Sequence, residues 1–163
     1  MSAASAPQTA HSLRLDLERR VRAWAPGRAE IGRWAAAALG RRAAGREIGI
    51  RVVGRAESRR LNARYRGKDQ PTNVLSFPAA PLPTIRGAAQ PLGDLVICAH
   101  VVRTEAIAQG KPLRAHWAHL VVHGVLHLIG YDHEHEPDAR RMERREVAVL
   151  RALGFVNPYR SVP

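Results

Sequence analysis

Three histidines at fixed spacing, His123, His127 and His133, constrain this chain more than any other feature of its sequence. On a helix, side chains four residues apart share a face about 6 Å apart along the axis, so His123 and His127 can bind one ion together. Gly130 can take the positive φ that ends a helix, which lets the chain turn back and bring His133 to the same ion. The surrounding segment is otherwise apolar, and burying bare imidazoles there is costly unless their nitrogens are satisfied. The spacing therefore predicts a metal site.

The type of metal site follows from the number of ligands. Three imidazoles with an open fourth position are typical of catalytic zinc, since structural zinc sites usually complete the tetrahedron with protein ligands, often cysteine. The three histidines and Gly130 also occupy the same positions as in the zincin signature H-E-x-x-H-x-x-G-x-x-H. The general-base glutamate of that signature is replaced by Gly124, which has no side chain to accept a proton. Peptide hydrolysis by the usual zincin route is therefore disfavoured.

The chain is strongly basic, with 26 Lys or Arg against 14 Asp or Glu and a formal net charge of +12. Residues 1–68 contain 16 basic and 5 acidic side chains, whereas residues 69–163 contain 10 and 9, so the N-terminal half carries nearly all of the excess. Together with a metal site, such a field favours nucleic acid over a membrane surface as the partner. Because 24 of the 26 basic residues are arginine and alanine is abundant, a GC-rich genome is a competing explanation.

Length and composition predict one domain. At 163 residues the chain is long enough for one real core and too short to expect two. Residues 1–10 are predicted to be a disordered tail and residues 11–163 the domain. A single cysteine, Cys98, excludes an internal disulfide and suits a reducing compartment. The N terminus lacks signal-peptide features and no apolar run reaches the length of a membrane helix, so we expect a cytoplasmic protein without membrane contact.

Hydrophobic periodicity predicts an α/β fold, with a small mixed four-stranded sheet flanked by about five helices, one of them a zincin-like metal helix. The predicted strands are residues 11–16, 47–53, 74–77 and 93–98, and the predicted helices are residues 29–39, 57–65, 101–109, the histidine segment after Pro112, and the segment from Pro137 to Gly154. Residues 66–73 are expected to form a loop, and residues 78–90 a mobile excursion.

The loop and the metal motif together resemble the YbeY family of endoribonucleases, the rRNA maturation factors of bacteria. The matching segments are Tyr65–Asp69, Pro71–Pro78, Leu92–Ile97, His116–His119 and His123–His133. The eleven-residue histidine motif and the run Pro-Thr-Asn-Val-Leu-Ser-Phe are the most specific parts. The resemblance spans roughly residues 47–155, whereas the first 45 residues match only loosely.

The resemblance implies a single-strand-specific, metal-dependent endoribonuclease in 16S rRNA 3′-end maturation and ribosome quality control. Its partners would be the 16S rRNA precursor, the small ribosomal subunit and the assembly factors of that subunit. Matched residue by residue, it implies His123, His127 and His133 as the ligands of one Zn²⁺ per chain and Arg66 as the catalytic arginine. Zinc polarises a phosphoryl oxygen, and a nearby guanidinium can offset charge that develops on the same phosphate.

The sequence leaves several roles open. Lys68, His119 and His135 are undecided as contributors to the site, and either Asp94 or Asp132 could orient an imidazole by accepting its second N–H. Two rival functions also stay open: a zinc hydrolase of another class, such as a peptidase or amidase, and a non-catalytic ribosome-assembly protein with structural zinc. A fourth protein ligand would favour the latter. The attacking nucleophile, the general base and the oligomeric state are not determined by the sequence.

Overall fold

Four strands and five helices form the protein, which a computed structural model describes over residues 12–83 and 85–160. In chain order the elements are β1 (Arg14–Arg19), α1 (Arg28–Leu39), β2 (Arg46–Val53), α2 (Arg55–Arg66), β3 (Val74–Pro78), β4 (Gln90–Cys98), α3 (Ala99–Gln109), α4 (Leu113–Leu128) and α5 (Glu136–Ala152), with a short 3₁₀ turn at Gly40–Ala43. The predicted α/β fold with a mixed four-stranded sheet and five helices is confirmed. The predicted tail of residues 1–10 lies outside the described residues.

The sheet has the strand order β1-β2-β4-β3. β1, β2 and β4 run parallel, and β3 pairs with β4 in the antiparallel sense. The apolar run Leu95–Cys98 predicts a strand covered on both faces, and β4 does lie between two neighbours with these four residues buried. β4 begins earlier than predicted, at Gln90, because Gln90 and Pro91 pair with β2 although they lack hydrophobic alternation.

The two faces of the sheet are covered differently. The main core lies between one face and helices α1, α4 and α5, where Ile50 of β2 and Leu95 of β4 meet Val121 of α4. A smaller cluster on the other face joins Val96 of β4 to Leu61 of α2. Because side chains alternate along a strand, each position of β4 is assigned to one face or the other. The metal helix α4 therefore packs on the face that contains Leu95.

The end of α4 and the start of α5 border the segment that carries His133. α4 ends at Leu128, and Gly130 follows with a φ of 99°, as the sequence predicts. α5 starts with Pro137 in its first turn, also as predicted.

Within the described residues, no helix has the length and apolarity that crossing a membrane requires.

Candidate metal centre

The three predicted histidines come together at the C-terminal end of α4. Nε2 of His123 lies 3.1 Å from Nε2 of His127, which in turn lies 2.8 Å from Nδ1 of His133. Zn–N bonds of about 2.0–2.1 Å in a tetrahedron would separate the nitrogens by roughly 3.3 Å. The three rings therefore present their nitrogens at close to the spacing that one zinc ion requires.

The turn after α4 brings His133 back to the helix. The amide of Gly130 donates to the carbonyl of His127 at 3.1 Å, and the amide of Tyr131 donates to the carbonyl of Leu126 at 3.0 Å. The positive φ of Gly130 makes this reversal possible, because a residue with a Cβ would be strained there. The chain leaves the helix in the direction that places His133 over the ring of His127.

Hydrogen bonds to the outer ring nitrogens fix the tautomers of two histidines. Nδ1 of His123 lies 2.7 Å from Oε1 of Glu146, and Nδ1 of His127 lies 2.9 Å from the carbonyl oxygen of Tyr131. A carboxylate and a carbonyl can only accept, so both Nδ1 atoms carry the proton and both Nε2 atoms keep a lone pair. Two lone pairs that face each other at 3.1 Å need a cation between them.

A proton is a poor candidate for that cation. Burial lowers the pKa of His127, and the neighbouring rings of His123 and His133 lower it further. An additional positive charge on this ring is therefore disfavoured. A metal ion that accepts three nitrogen lone pairs fits the donor set, because it removes the repulsion without burying an unpaired N–H.

Glu146 of α5 is the functional residue that the sequence analysis missed. Its side chain is 1% exposed, and its two oxygens accept from His123 at 2.7 Å, from His119 at 2.8 Å and from the hydroxyl of Tyr159. Burial alone would raise the pKa of Glu146, but the hydrogen bonds from His119, His123 and Tyr159 lower it to about 2. A signal was present in the sequence: Glu146 lies four residues after Met142 and so shares a helix face with that apolar residue.

His119 supports the triad rather than joining it. His119, His123 and Glu146 lie close enough together to be considered a second ligand group. Both contacts join a ring N–H to a carboxylate oxygen, however, so they are complete hydrogen bonds rather than lone pairs that face one another. His119 therefore holds the carboxylate that orients His123.

Neither of the two aspartates that the sequence offered as imidazole partners orients one of the three proposed ligands. Asp94 sits next to Leu95 on β4 and so points to the face opposite α4. Asp132 accepts from the amide of Glu134 at 2.8 Å and from Nδ1 of His135 at 3.2 Å. His135 is therefore grouped with Asp132 and Asp138 and not with the three ligand histidines. The acceptors that orient the triad are instead Glu146 and a backbone carbonyl.

The glycine that replaces the zincin glutamate has a structural reason. A Cβ placed on Gly124 would lie 2.9 Å from Cδ2 and 3.0 Å from Cδ1 of Leu95, and 3.3 Å from Cγ2 of Val74. Helix α4 therefore packs so closely on β3 and β4 that a side chain at this position would force Leu95 to shift. With glycine there, the position supplies no general base.

Arg66 was predicted to lie in a loop, and that prediction is wrong. It is the last residue of α2, and Gly67 follows with a φ of 71° as the C-cap. Nη2 of Arg66 donates to the carbonyl of Ser76 at 2.9 Å, and the Ser76 hydroxyl donates to the carbonyl of Gly124 at 3.3 Å. Loop-like composition misled the interpretation, because the helix continues until the glycine that can adopt the left-handed conformation. Lys68 is exposed just beyond it.

A family model and two relatives with similar sequences agree on one family, and a solved structure agrees on the fold. A protein-family model described as endoribonuclease YbeY matches residues 27–154. A Methylococcus capsulatus protein named endoribonuclease YbeY is 53% identical over 148 residues, which cover 91% of this chain and 96% of the relative. A protein of the same name from Alkalilimnicola ehrlichii is 55% identical over 144 residues, which cover 85% of each chain. The solution structure of a Thermotoga maritima protein has the same fold, with a TM-score of 0.54 at 20% identity over 91% of this chain and 99% of that one.

Proposed function

This chain belongs to the endoribonuclease YbeY family, and we propose that it cleaves single-stranded RNA with one zinc ion held by His123, His127 and His133. The observation that carries the proposal is the convergence of the three ring nitrogens. The RNA is the 16S rRNA precursor near its 3′ end, and the partners are the small ribosomal subunit and its assembly factors. Residues 11–163 act as one domain in the cytoplasm, where the single Cys98 stays reduced.

Two of the three proposed ligands have a defined support. Zinc, when bound, supplies Lewis acidity that polarises a phosphoryl oxygen. Glu146 keeps Nε2 of His123 free to bind the metal, and the Tyr131 carbonyl does the same for His127. Since the described residues place three ligand atoms in this group, one coordination position is left for substrate. That open position favours a catalytic over a structural zinc site.

Arg66 is the proposed catalytic arginine. Its guanidinium uses one N–H to bond the Ser76 carbonyl, and the other donors can bind a phosphate oxygen. Ser76 contacts Gly124, which follows the ligand His123, so the arginine is anchored on the strand that packs against the metal helix. A guanidinium held there can stabilise negative charge that develops as the phosphodiester is cleaved.

The peptidase or amidase alternative is less well supported. It requires a general base beside the metal, and the space at Gly124 is filled by Leu95 and Val74. Two carboxylates lie near the three histidines in the described residues, and both are engaged: Glu146 accepts from His119, His123 and Tyr159, and Asp132 accepts from the amide of Glu134 and from His135. RNA cleavage that depends on a metal and an arginine fits this arrangement better.

The decisive experiment compares Arg66→Ala with His127→Ala on a single-stranded RNA substrate. We expect Arg66→Ala to lower kcat by about 10²- to 10³-fold while the zinc content stays at one equivalent. His127→Ala should lose both zinc and activity. Arg103→Ala, an exposed arginine of α3, and His135→Ala are the matched controls and should keep both.

Two results would contradict the proposal. Cleavage by Arg66→Ala at the wild-type rate, or cleavage that persists after chelation, would trace the activity to a contaminating nuclease. A full equivalent of tightly bound zinc in His127→Ala would show that the ligands are assigned wrongly. Zinc content is measured by elemental analysis and cleavage by denaturing gel.

A further inference from the structure

The last turn of α2 and the edge strand β3 carry two aromatic rings in contact with each other, with one guanidinium group against each ring. The guanidinium carbon of Arg64 lies 5.3 Å from the ring centre of Tyr65. The ring centres of Tyr65 and Phe77 are 5.2 Å apart with an interplanar angle of 71°, and the guanidinium carbon of Arg66 lies 5.7 Å from the Phe77 ring centre. We refer to Arg64, Tyr65, Arg66 and Phe77 as the stacking platform.

Tyr65 packs against a neighbouring ring, but about half of its side chain remains exposed. Its ring packs at 71° to the ring of Phe77, which packs on the smaller apolar cluster of the sheet. The side chain nevertheless remains 50% exposed. In residues 12–83 and 85–160 its hydroxyl is not among the groups that form hydrogen bonds. A rigid aromatic surface therefore faces solvent beside β3.

The platform carries positive charge that no carboxylate neutralises within the described residues. Arg59, on the same helix, is paired with Asp69 at 2.7 Å, and Arg60 lies 4.0 Å from Glu57. Arg64 has no carboxylate within ion-pair distance in the described parts of the chain, and Arg66 has none there either. The two guanidinium groups contact the aromatic rings instead. Positive charge beside exposed aromatic surface suits an anionic ligand that has a flat apolar group.

The platform is connected to the metal centre by one strand. Arg66 donates to the carbonyl of Ser76, and the hydroxyl of Ser76 donates to the carbonyl of Gly124, next to His123. Hydrogen bonds through β3 therefore join the platform to the helix that carries the metal ligands. This geometry distinguishes Tyr65 from exposed aromatic side chains such as Trp24, which lies between β1 and α1.

We propose that the stacking platform binds one unpaired nucleobase of single-stranded RNA, with the base stacked on Tyr65 and the flanking phosphates on Arg64. The proposal rests on the RNA-cleaving function proposed above and names the part of the substrate that this face recognises. In an A-form duplex the base faces are covered by their neighbours, so a base can stack on a protein ring only when it is splayed out. The platform thereby selects for single strands.

The test measures the affinity of the zinc-loaded full-length protein for a labelled single-stranded RNA by fluorescence anisotropy, with RNA integrity checked on a gel. Tyr65→Leu keeps an apolar contact with Phe77 but removes the ring, and we expect binding to weaken by roughly 5- to 150-fold. Tyr65→Phe should bind within about twofold of wild type, because the stacking surface is unchanged. Trp24→Ala, a matched exposed aromatic, should bind as wild type does.

An abasic scan assigns the loss of affinity to one base. Removing the base at one position of the RNA should weaken binding to wild type and have little further effect on Tyr65→Leu, since the two changes remove the same interaction. If Tyr65→Leu fails to fold by circular dichroism, 2-aminopurine placed along the RNA gives a second readout. Its fluorescence should be quenched at a single position on binding to wild type.

The outcomes separate this inference from the proposed function. Equal affinities of Tyr65→Leu and wild type, an equal loss in Trp24→Ala, or quenching at no position would overturn the stacking platform while cleavage stands. RNA binding that depends on Tyr65 in a protein that does not cleave RNA would keep the platform and overturn the nuclease. Tight binding of a duplex of the same sequence with the same dependence on Tyr65 would overturn the selection for single strands.

Discussion

Nδ1 of His123 donates to Oε1 of Glu146 at 2.7 Å, although the two residues lie on different helices, 23 positions apart in the chain. The carboxylate is buried and is shared with His119 and Tyr159. This hydrogen bond decides which nitrogen of His123 can bind a metal. It also ties the position of α5 and of the C-terminal segment at Tyr159 to the geometry of the metal centre.

Glu146→Gln should therefore weaken zinc binding by roughly 10- to 100-fold, which is typical when a group that orients a ligand is changed. The amide keeps the size of the side chain but loses the charge that favours a protonated Nδ1 on His123. Competition with a chromophoric chelator measures the effect. Glu143→Gln, an exposed glutamate on the same helix, is the control, and an equal loss in that variant would assign the effect to net charge alone.

The pH dependence of stability should reveal the protonation of the Glu146 carboxylate. Hydrogen bonds lower the pKa of Glu146 from 4.5 to about 2, so its stabilising contribution is fully present above pH 4.5 and is lost as the pH falls toward 2. Urea unfolding of chelator-treated protein measures it as the difference in free energy of unfolding between wild type and Glu146→Gln. That difference should shrink over this interval, and a difference independent of pH would contradict the assignment.

Gly124→Ala should destabilise the protein by about 1–3 kcal/mol through overpacking. The added methyl group meets Leu95, which is fully buried and cannot move aside without disturbing the core. Gly32→Ala in α1 is the matched control, because its Cβ would have an ordinary contact of 3.8 Å. A mid-helix glycine with free space should gain about 0.5–1 kcal/mol on this change. Thermal unfolding that ranks the two variants in the opposite order would show that α4 is not closely packed there.

RNA affinity should fall steeply with salt, because each neutralised phosphate releases counterions from the strand. Removing exposed arginines of the N-terminal half, as in Arg41→Gln with Arg60→Gln, should reduce the slope of log affinity against log salt by about 0.7 for each phosphate that is no longer neutralised. The matched pair is Arg140→Gln with Arg144→Gln on α5. An equal change in both pairs would mean that the positive excess of the N-terminal half reflects composition rather than recognition.

The sequence by itself determined the metal motif and the secondary structure around it. Histidine spacing, the glycine after α4 and the proline at the start of α5 act through local backbone geometry, which a few neighbouring residues decide. The central position of β4 followed equally from its apolar run, since a strand without alternation must be covered on both faces. For the same local reason the fold class could be predicted from periodicity alone.

The tertiary structure alone decided which groups meet across elements. Glu146 acts on His123 because α5 crosses α4, and Asp94 is excluded because the register of β4 turns it to the opposite face. Neither relationship has a signature in local spacing, since both depend on how separate elements pack. Likewise Gly124 indicates in the sequence only a missing catalytic base, whereas the structure shows that a Cβ there would press against the side chain of Leu95.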